Sequence, residues 1–282
     1  MKIAVTGANG QLGQDVVKLL GAKHEVHGLG REQLDITNEI ECLEVLKALK
    51  PDVIIHSAAY TAVDLAETEV DTAYRINADG TRNVAVAAEE IGAKLCYIST
   101  DYVFDGTTAT AYKEDDSTNP QSVYGNSKRV GEQHVQALSS KYFIVRTSWV
   151  YGIHGANFVK TMLDLAATRD SLKVVSDQYG SPTYTVDLAL FLEELIQTDF
   201  YGIYHASNSG VCSWYEFACA IFEESGVKIN VDPCTTEEFP RPAPRPRNSA
   251  MEHGAIRANG LEDLRPWREG LKAFLKELEE SR

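Results

Sequence analysis

One segment constrains the fold of this chain more than any other: Thr6-Gly7-Ala8-Asn9-Gly10-Gln11-Leu12-Gly13. It follows a short apolar run, Lys2 to Thr6, and precedes a stretch carrying Val16, Val17, Leu19 and Leu20 on one side. Glycines three apart between a strand and a helix permit a sharp turn and let backbone amides approach a pyrophosphate. The helix N-terminus adds further N–H donors and a favourable dipole. The strand before and the helix after are the context that this mechanism requires. Gly7, Asn9, Gly10, Gln11, Leu12 and Gly13 are therefore read as a dinucleotide cradle; the plainer alternative is a tight βα turn with no ligand.

The rest of the first half alternates in the same way. Glu25 to Leu29 reads as a second strand, Ile40 to Leu49 as a helix, and Val53-Ile54-Ile55 as a third strand. Asp71 to Ile91 is alanine-rich and helical. Leu95 to Ser99 and Phe143 to Thr147 are strands flanking a helix from about Tyr124 to Leu138. Alternating strands and helices imply an α/β fold, a Rossmann-type doubly wound parallel sheet covered on both faces. The second half is less regular, with helices expected over 157–167, 186–197, 214–224 and 267–280. The run Pro240-Arg241-Pro242-Ala243-Pro244-Arg245-Pro246-Arg247 excludes regular backbone hydrogen bonding and reads as an extended loop. Residues 1–150 are expected to form the dinucleotide-binding domain, with later segments able to return to it, and 151–282 mainly a smaller C-terminal substrate-binding lobe.

Charge narrows the partners. A formal net charge of -14 over 282 residues argues against a nucleic-acid or anionic-membrane surface, since either needs a basic field. No apolar run approaches the roughly 20 residues that span a bilayer. The five cysteines are scattered without C-x-x-C spacing, which suits reduced thiols in a cytoplasmic protein. No Cys, His and carboxylate cluster has metal-ligand spacing, so no catalytic metal is expected.

The end of the second strand refines the cofactor. Proteins that bind NAD commonly place an acidic residue there, on the ribose hydroxyls. This chain has Gly30 followed by Arg31, and a small residue beside a guanidinium suits a 2′-phosphate, so NADPH is the first choice. A solvated loop arginine is the competing reading. Asp35 either meets the adenine edge or caps the next turn. Ala58, Ala59 and Thr61 are small residues leaving room for a cofactor across the sheet edge, while His56 before them is a hydrogen-bonded strand-end residue rather than a catalyst.

Tyr124-Gly125-Asn126-Ser127-Lys128 carries the reaction chemistry. A tyrosine and a lysine four apart project from one helix face. A nearby ammonium should lower the phenol from its normal value near ~10 towards working pH. The phenol can then protonate a carbonyl oxygen as hydride reaches its carbon, while Lys128 holds the nicotinamide ribose. Ser99 or Thr100, at a strand end, can hydrogen-bond the same oxygen. Asp101 is open between a turn cap and a substrate contact.

With these residues in place, the chain resembles the extended short-chain dehydrogenases/reductases, and specifically the dTDP-4-dehydrorhamnose reductase family. The shared blocks are the glycine segment, 58–64 (Ala-Ala-Tyr-Thr-Ala-Val-Asp), 99–106 (Ser-Thr-Asp-Tyr-Val-Phe-Asp-Gly), 124–128, 146–152 (Arg-Thr-Ser-Trp-Val-Tyr-Gly), 180–183 (Gly-Ser-Pro-Thr) and 245–249 (Arg-Pro-Arg-Asn-Ser). They span nearly the full length. The resemblance implies Thr100, Tyr124 and Lys128 as the catalytic set, with NADPH, or NADH also accepted. It implies reduction of dTDP-4-dehydro-β-L-rhamnose to dTDP-β-L-rhamnose.

For the dTDP-sugar, the resemblance suggests Tyr102 or Val103, Trp149 and Asn157. Trp149 is equally readable as core. Arg245 and Arg247 are the local candidates for the diphosphate, against a solvated basic loop.

Two departures stand out. Ala250 to Gly254 differs from the expected continuation after Asn-Ser. Some family members form a dimer around Mg2+ held by glutamates; here position 15 is Asp15 and no ligand set emerges, so monomer and homodimer both stay open. Competing functions are a nucleotide-sugar epimerase or dehydratase of the same fold, and a non-catalytic NADP-binding regulatory subunit.

Overall fold

The computed structural model describes residues 1–281. The first half contains β1 (Lys2–Thr6), α1 (Gln11–Leu20), β2 (Glu25–Leu29), α2 (Glu39–Leu49) and β3 (Val53–His56). Then come α3 (Val63–Ala66), α4 (Val70–Tyr74), a π-helical turn (Arg75–Gly80), α5 (Thr81–Ile91), β4 (Lys94–Thr100), α6 (Val123–Leu138) and β5 (Tyr142–Thr147). The second half adds β6 (Val150–Tyr151), α7 (Phe158–Ala166), β7 (Ser171–Val175), β8 (Tyr179–Gly180), β9 (Thr183–Tyr184) and α8 (Thr185–Ile196). It ends with β10 (Gly202–His205), β11 (Cys212–Ser213), α9 (Trp214–Ser225), β12 (Asn230–Cys234), α10 (Gly254–Ala258) and α11 (Trp267–Glu280).

Six strands form one parallel sheet in the order β2-β1-β3-β4-β5-β10. From β1 the chain runs outward to β2, then crosses back to β3 on the other side. That reversal opens a crevice over the carboxyl ends of β1 and β3, where ligands of doubly wound sheets bind. Strict pleat alternation divides the strands between two cores. Ile3, Val5, Val53 and Ile55 face α1 and α8 through Val16, Leu20, Leu188 and Leu192. Ala4, Ile54, Leu95 and Tyr97 face α2, α5 and α6 through Leu46, Val84, Ala88 and Val135. Burial on both faces explains why the strands read as continuous apolar runs.

A third core lies outside the sheet, where Val159, Leu172, Phe217 and Phe274 join α7, β7, α9 and α11. Two segments beyond residue 150 return to the sheet: β10 pairs with β5, and α8 packs on α1. The segment 71–91, expected as one helix, is interrupted by the π-helical turn. The turn packs closely on a distant loop: a Cβ on Gly80 would stand 2.7 Å from Ile36 Cδ1. The proline-rich loop has no regular element, yet it is tied down, since Asn248 Nδ2 donates to the carbonyls of Thr108 and Thr110 at 3.0 and 2.9 Å. Among the described residues no helix is long and apolar enough to cross a membrane.

The glycines of the first turn differ in what they meet. Gly7 has φ +67°, and a Cβ there would lie 2.6 Å from Ala58 N; one on Gly13 would lie 2.2 Å from the Gly7 carbonyl oxygen. At Gly10 the nearest atom would be 3.1 Å away. Gly13→Ala is therefore expected to cost about 1–3 kcal/mol of folding stability, and Gly10→Ala less than half of that. Urea unfolding of both variants checks the order; equal losses would mean that the Gly7–Gly13 contact relaxes freely.

Candidate active site

Every residue assigned to the cofactor from sequence, together with Thr100, Tyr102 and Trp149, lines one cavity of about 770 Å³ at the switch crevice. Its floor is the β1–α1 turn. Gly10 caps α1 with extended backbone and no side-chain hydrogen bond, which leaves the first amides of the helix open to an anion. Gln11 braces this turn against the second half of the chain: its Nε2 donates to the Val150 carbonyl at 3.1 Å, and its Oε1 accepts from Asn157 Nδ2 at 3.0 Å. The glycine cradle and its free amides fit a dinucleotide pyrophosphate.

At the far end of the cavity lie Gly30, Arg31, Asp35 and Arg75. Asp35 Oδ1 accepts from the Thr37 amide at 3.0 Å and the Thr37 hydroxyl at 2.8 Å, bonds that hold its carboxyl below its usual range. Asp35 thus caps the following turn and also lines the cavity. His56 is fully buried between the hydroxyls of Thr6 (2.7 Å) and Thr81 (3.1 Å), and burial drives its pKa down to about 3. It is a neutral strand-end residue.

Tyr124 and Lys128 rise from the first turns of α6, whose N-cap Ser122 accepts from the Gly125 amide at 3.1 Å. Gly125 lets this helix press on the next loop, for a Cβ there would stand 2.2 Å from the Tyr102 carbonyl oxygen. Tyr102 meets Tyr124 edge-on with ring centres 5.5 Å apart. The Ser99 hydroxyl is committed to Glu132 at 2.6 Å. Thr100 is the hydroxyl that interacts with the Tyr124 phenol, while itself donating to Asp101 Oδ1 at 2.9 Å.

The expected electrostatics need correction. Burial pushes the Tyr124 phenol up to about 12, with Asp101 adding to the rise and Thr100 opposing it. Lys128 does not offset this. Its own burial lowers it to about 7, against an opposing pull from Glu132. Two buried groups each lose hydration of their charged form, and here that loss sets the direction of both shifts. Lys128 Nζ donates to the Ile98 carbonyl at 2.7 Å and lies 4.1 Å from the Tyr97 ring centre.

Beneath these groups lies a polar network not foreseen from the sequence. Glu132, one turn beyond Lys128, is fully buried and accepts from Arg146 Nε and Nη2, both at 2.9 Å. Arg146 in turn faces His205 Nε2 at 3.3 Å, and His205 Nδ1 lies 3.1 Å from the Glu252 carbonyl. The i, i+4 step from Lys128 to Glu132 was the available signal. A glutamate on a helix reads as surface until its partner is known.

The remaining candidates lie elsewhere. Val103 is fully buried with Phe104, Tyr112 and Met251. Asn157 caps α7, accepting from the Lys160 amide at 3.1 Å, and acts on the cavity through Gln11. Arg245 is ion-paired to Asp64, which also accepts from Arg241 Nη2 at 2.7 Å and the Ala243 amide at 3.2 Å. These partners pull Asp64 down to about 2. Arg245 borders a second hollow of about 150 Å³ with Tyr102, Gln121 and Ser122. Arg247 is exposed and paired to Glu237 at 2.9 Å. Trp149 lines the main cavity and stacks on Trp214, ring centres 3.6 Å apart. Its φ of +49° is strained for a bulky residue, so surrounding packing must hold it there.

Asp15 is buried; its Oδ2 accepts from the Thr185 hydroxyl at 2.5 Å, and its Oδ1 faces His154 at 3.5 Å. Among the described residues no three His, Cys, Asp or Glu side chains gather to hold a metal.

Comparisons with known proteins agree on one group. The family model described as RmlD substrate binding domain matches residues 1–280. A spore coat polysaccharide biosynthesis protein, SpsK, of Bacillus subtilis is 47% identical over 98% of this chain and 97% of its own. A dTDP-4-dehydrorhamnose reductase of Aggregatibacter actinomycetemcomitans is 44% identical over 96% of this chain and 97% of its own. The crystal structure of dTDP-4-dehydrorhamnose reductase from Bacillus anthracis in complex with NADP superimposes with a TM-score of 0.96, at 49% identity, covering 98% and 99% of the two chains.

Asp101 gives the site a measurable signature. Burial raises its carboxyl from 3.8 to about 6, opposed by bonds from Ser249 and Thr100. Across that window the folded chain keeps a proton that the unfolded chain has released. The stability gained is full below the window and lost as pH rises through it. Relative to Asp101→Asn, the wild type should lose on the order of 2–3 kcal/mol between about pH 4 and about pH 8. Urea midpoints of both proteins at the two pH values test this; a constant difference would show that the carboxyl titrates normally.

Proposed function

The chain belongs to the dTDP-4-dehydrorhamnose reductase family, and we propose from this and from the site that it reduces the 4-keto group of dTDP-4-dehydro-β-L-rhamnose to give dTDP-β-L-rhamnose. The observation that carries the reading is one cavity in which the glycine cradle, Thr100, Tyr124 and Lys128 all meet. NADPH, when bound, supplies the hydride to the sugar carbon. The protein supplies position and a proton. Tyr124, held as a neutral phenol by burial, hands its proton to the carbonyl oxygen, and the Thr100 hydroxyl orients that oxygen. Lys128 gives one donor to the Ile98 carbonyl and, in its protonated form, keeps two for the ribose hydroxyls and the phenol. Ala58, Ala59 and Thr61 leave space for the cofactor along the sheet edge, and Arg31 beside Gly30 meets a 2′-phosphate, favouring NADPH over NADH.

Trp149 and Tyr102, which both line the cavity, offer apolar surface to the sugar. Arg245 is the diphosphate candidate once it exchanges Asp64 for the substrate anion; exposed Arg247 guides the approach. Residues 1–150 form the dinucleotide-binding part with α8 and β10 added, and the third core forms the substrate lobe. The free thiols suit work in the cytoplasm. The relatives' names favour this reductase over an epimerase, a dehydratase or a regulatory subunit.

Following NADPH absorbance with dTDP-4-dehydrorhamnose tests the assignment, which turnover without net NADPH oxidation would sink. Tyr124→Phe should keep NADPH affinity within about twofold and lose roughly 10²–10⁴ in kcat. Full activity in that variant would pass the proton donor's role to another group.

A further inference from the structure

The cavity holds three cations, Arg31, Arg75 and Lys128. Lys128 sits at the reacting end, while both arginines line the end where β2 stops, beside Leu34, Asp35 and Ile36. Both are exposed. Neither makes an ion pair among the described residues, whereas Arg82, one π-turn and two residues further on, is paired to Glu39 at 3.5 Å. In a chain of net charge -14, two guanidinium groups without an ion pair at one mouth of a cavity form a local basic patch that an anionic ligand can join.

The fold brings Arg75 there. It opens the π-helical turn Arg75–Gly80, whose wider backbone directs both Arg75 and Ile76 to the cavity. π-Helical turns recur at functional sites because they re-aim side chains. The turn is pinned to the loop carrying Asp35: Gly80 admits Ile36 at a separation that a Cβ would reduce to 2.7 Å, and Asn83 Nδ2 donates to the Ile36 carbonyl at 2.9 Å. Arg31 and Arg75 both pull the Asp35 carboxyl downward, so both lie near that one carboxylate. Asp35 accepts from Thr37 through Oδ1 and, among the described residues, forms no ion pair with either guanidinium.

We propose that Arg75 is the second arm of a 2′-phosphate clamp, closing with Arg31 on the adenosine ribose and setting the preference for NADPH over NADH. This rests on the dinucleotide reading of the cavity. A phosphate monoester carries up to two charges and three acceptor oxygens, so two guanidinium groups satisfy it better than one. Arg75 lies 44 residues beyond Arg31, on the far side of β3, outside the strand-end position where a sequence motif would look for it.

The test uses the full chain and two fragments that lack nicotinamide, adenosine 2′,5′-bisphosphate and 5′-ADP, titrated by calorimetry. Arg75→Gln should weaken the 2′-phosphate fragment about tenfold or more, as expected for one charge-assisted bond, and leave 5′-ADP within about twofold. Arg31→Gln should behave alike, and the preference of the wild type for NADPH over NADH should shrink in both. An equal loss for both fragments, or no loss, overturns the role of Arg75. If wild type binds neither fragment nor NADPH, the dinucleotide reading falls with it.

Discussion

The buried ion pair of Glu132 with Arg146 underlies the whole site. It joins α6, the helix of Tyr124 and Lys128, to β5, takes the Ser99 hydroxyl from β4, and reaches His205 on the last strand of the sheet. Two charges removed from water gain net stability only when their remaining hydrogen-bonding capacity is filled. Here both carboxylate oxygens and every nitrogen of the guanidinium have partners. The pair therefore acts as a fixed peg. Thr100 follows Ser99, Thr147 and Trp149 follow Arg146, and Lys128 sits one turn before Glu132, so three elements of the cavity inherit their position from one contact.

The site is built of neutralised groups. Tyr124, Lys128, Asp101 and His56 are all driven towards their uncharged forms by burial. A protonated phenol suits a proton donor, and a lysine near neutrality can gain or lose charge cheaply as its neighbours change. The simple picture of an ammonium pulling a phenol acidic underrates burial, which acts on both partners at once.

Much of this was legible before any coordinates. Local rules carry the glycine turn, the apolar strands and the Tyr124/Lys128 spacing, because each is decided within a few residues. The readings of a dinucleotide cradle and of a reacting pair were drawn from these. What stayed hidden depends on distant packing. Glu132 drew no reading from sequence because its partner Arg146 lies on another element, Arg245 gave no sign of its pairing with Asp64, and the alanine-rich segment 71–91 gave no sign of the π-helical turn. Two-residue strands such as β6 and β9 carry no periodicity to read.

The braces on α1 have one further consequence. Its first turn is bonded to Val150 and Asn157, and Asp15 to Thr185, so one short helix is shared by the sheet and by the chain beyond it. With α8 and β10 also built into the sheet, neither part can come loose while the other stays folded. The chain should thus melt as a single cooperative unit, and a ligand gripping the first turn would raise the melting temperature of the distant third core along with its own.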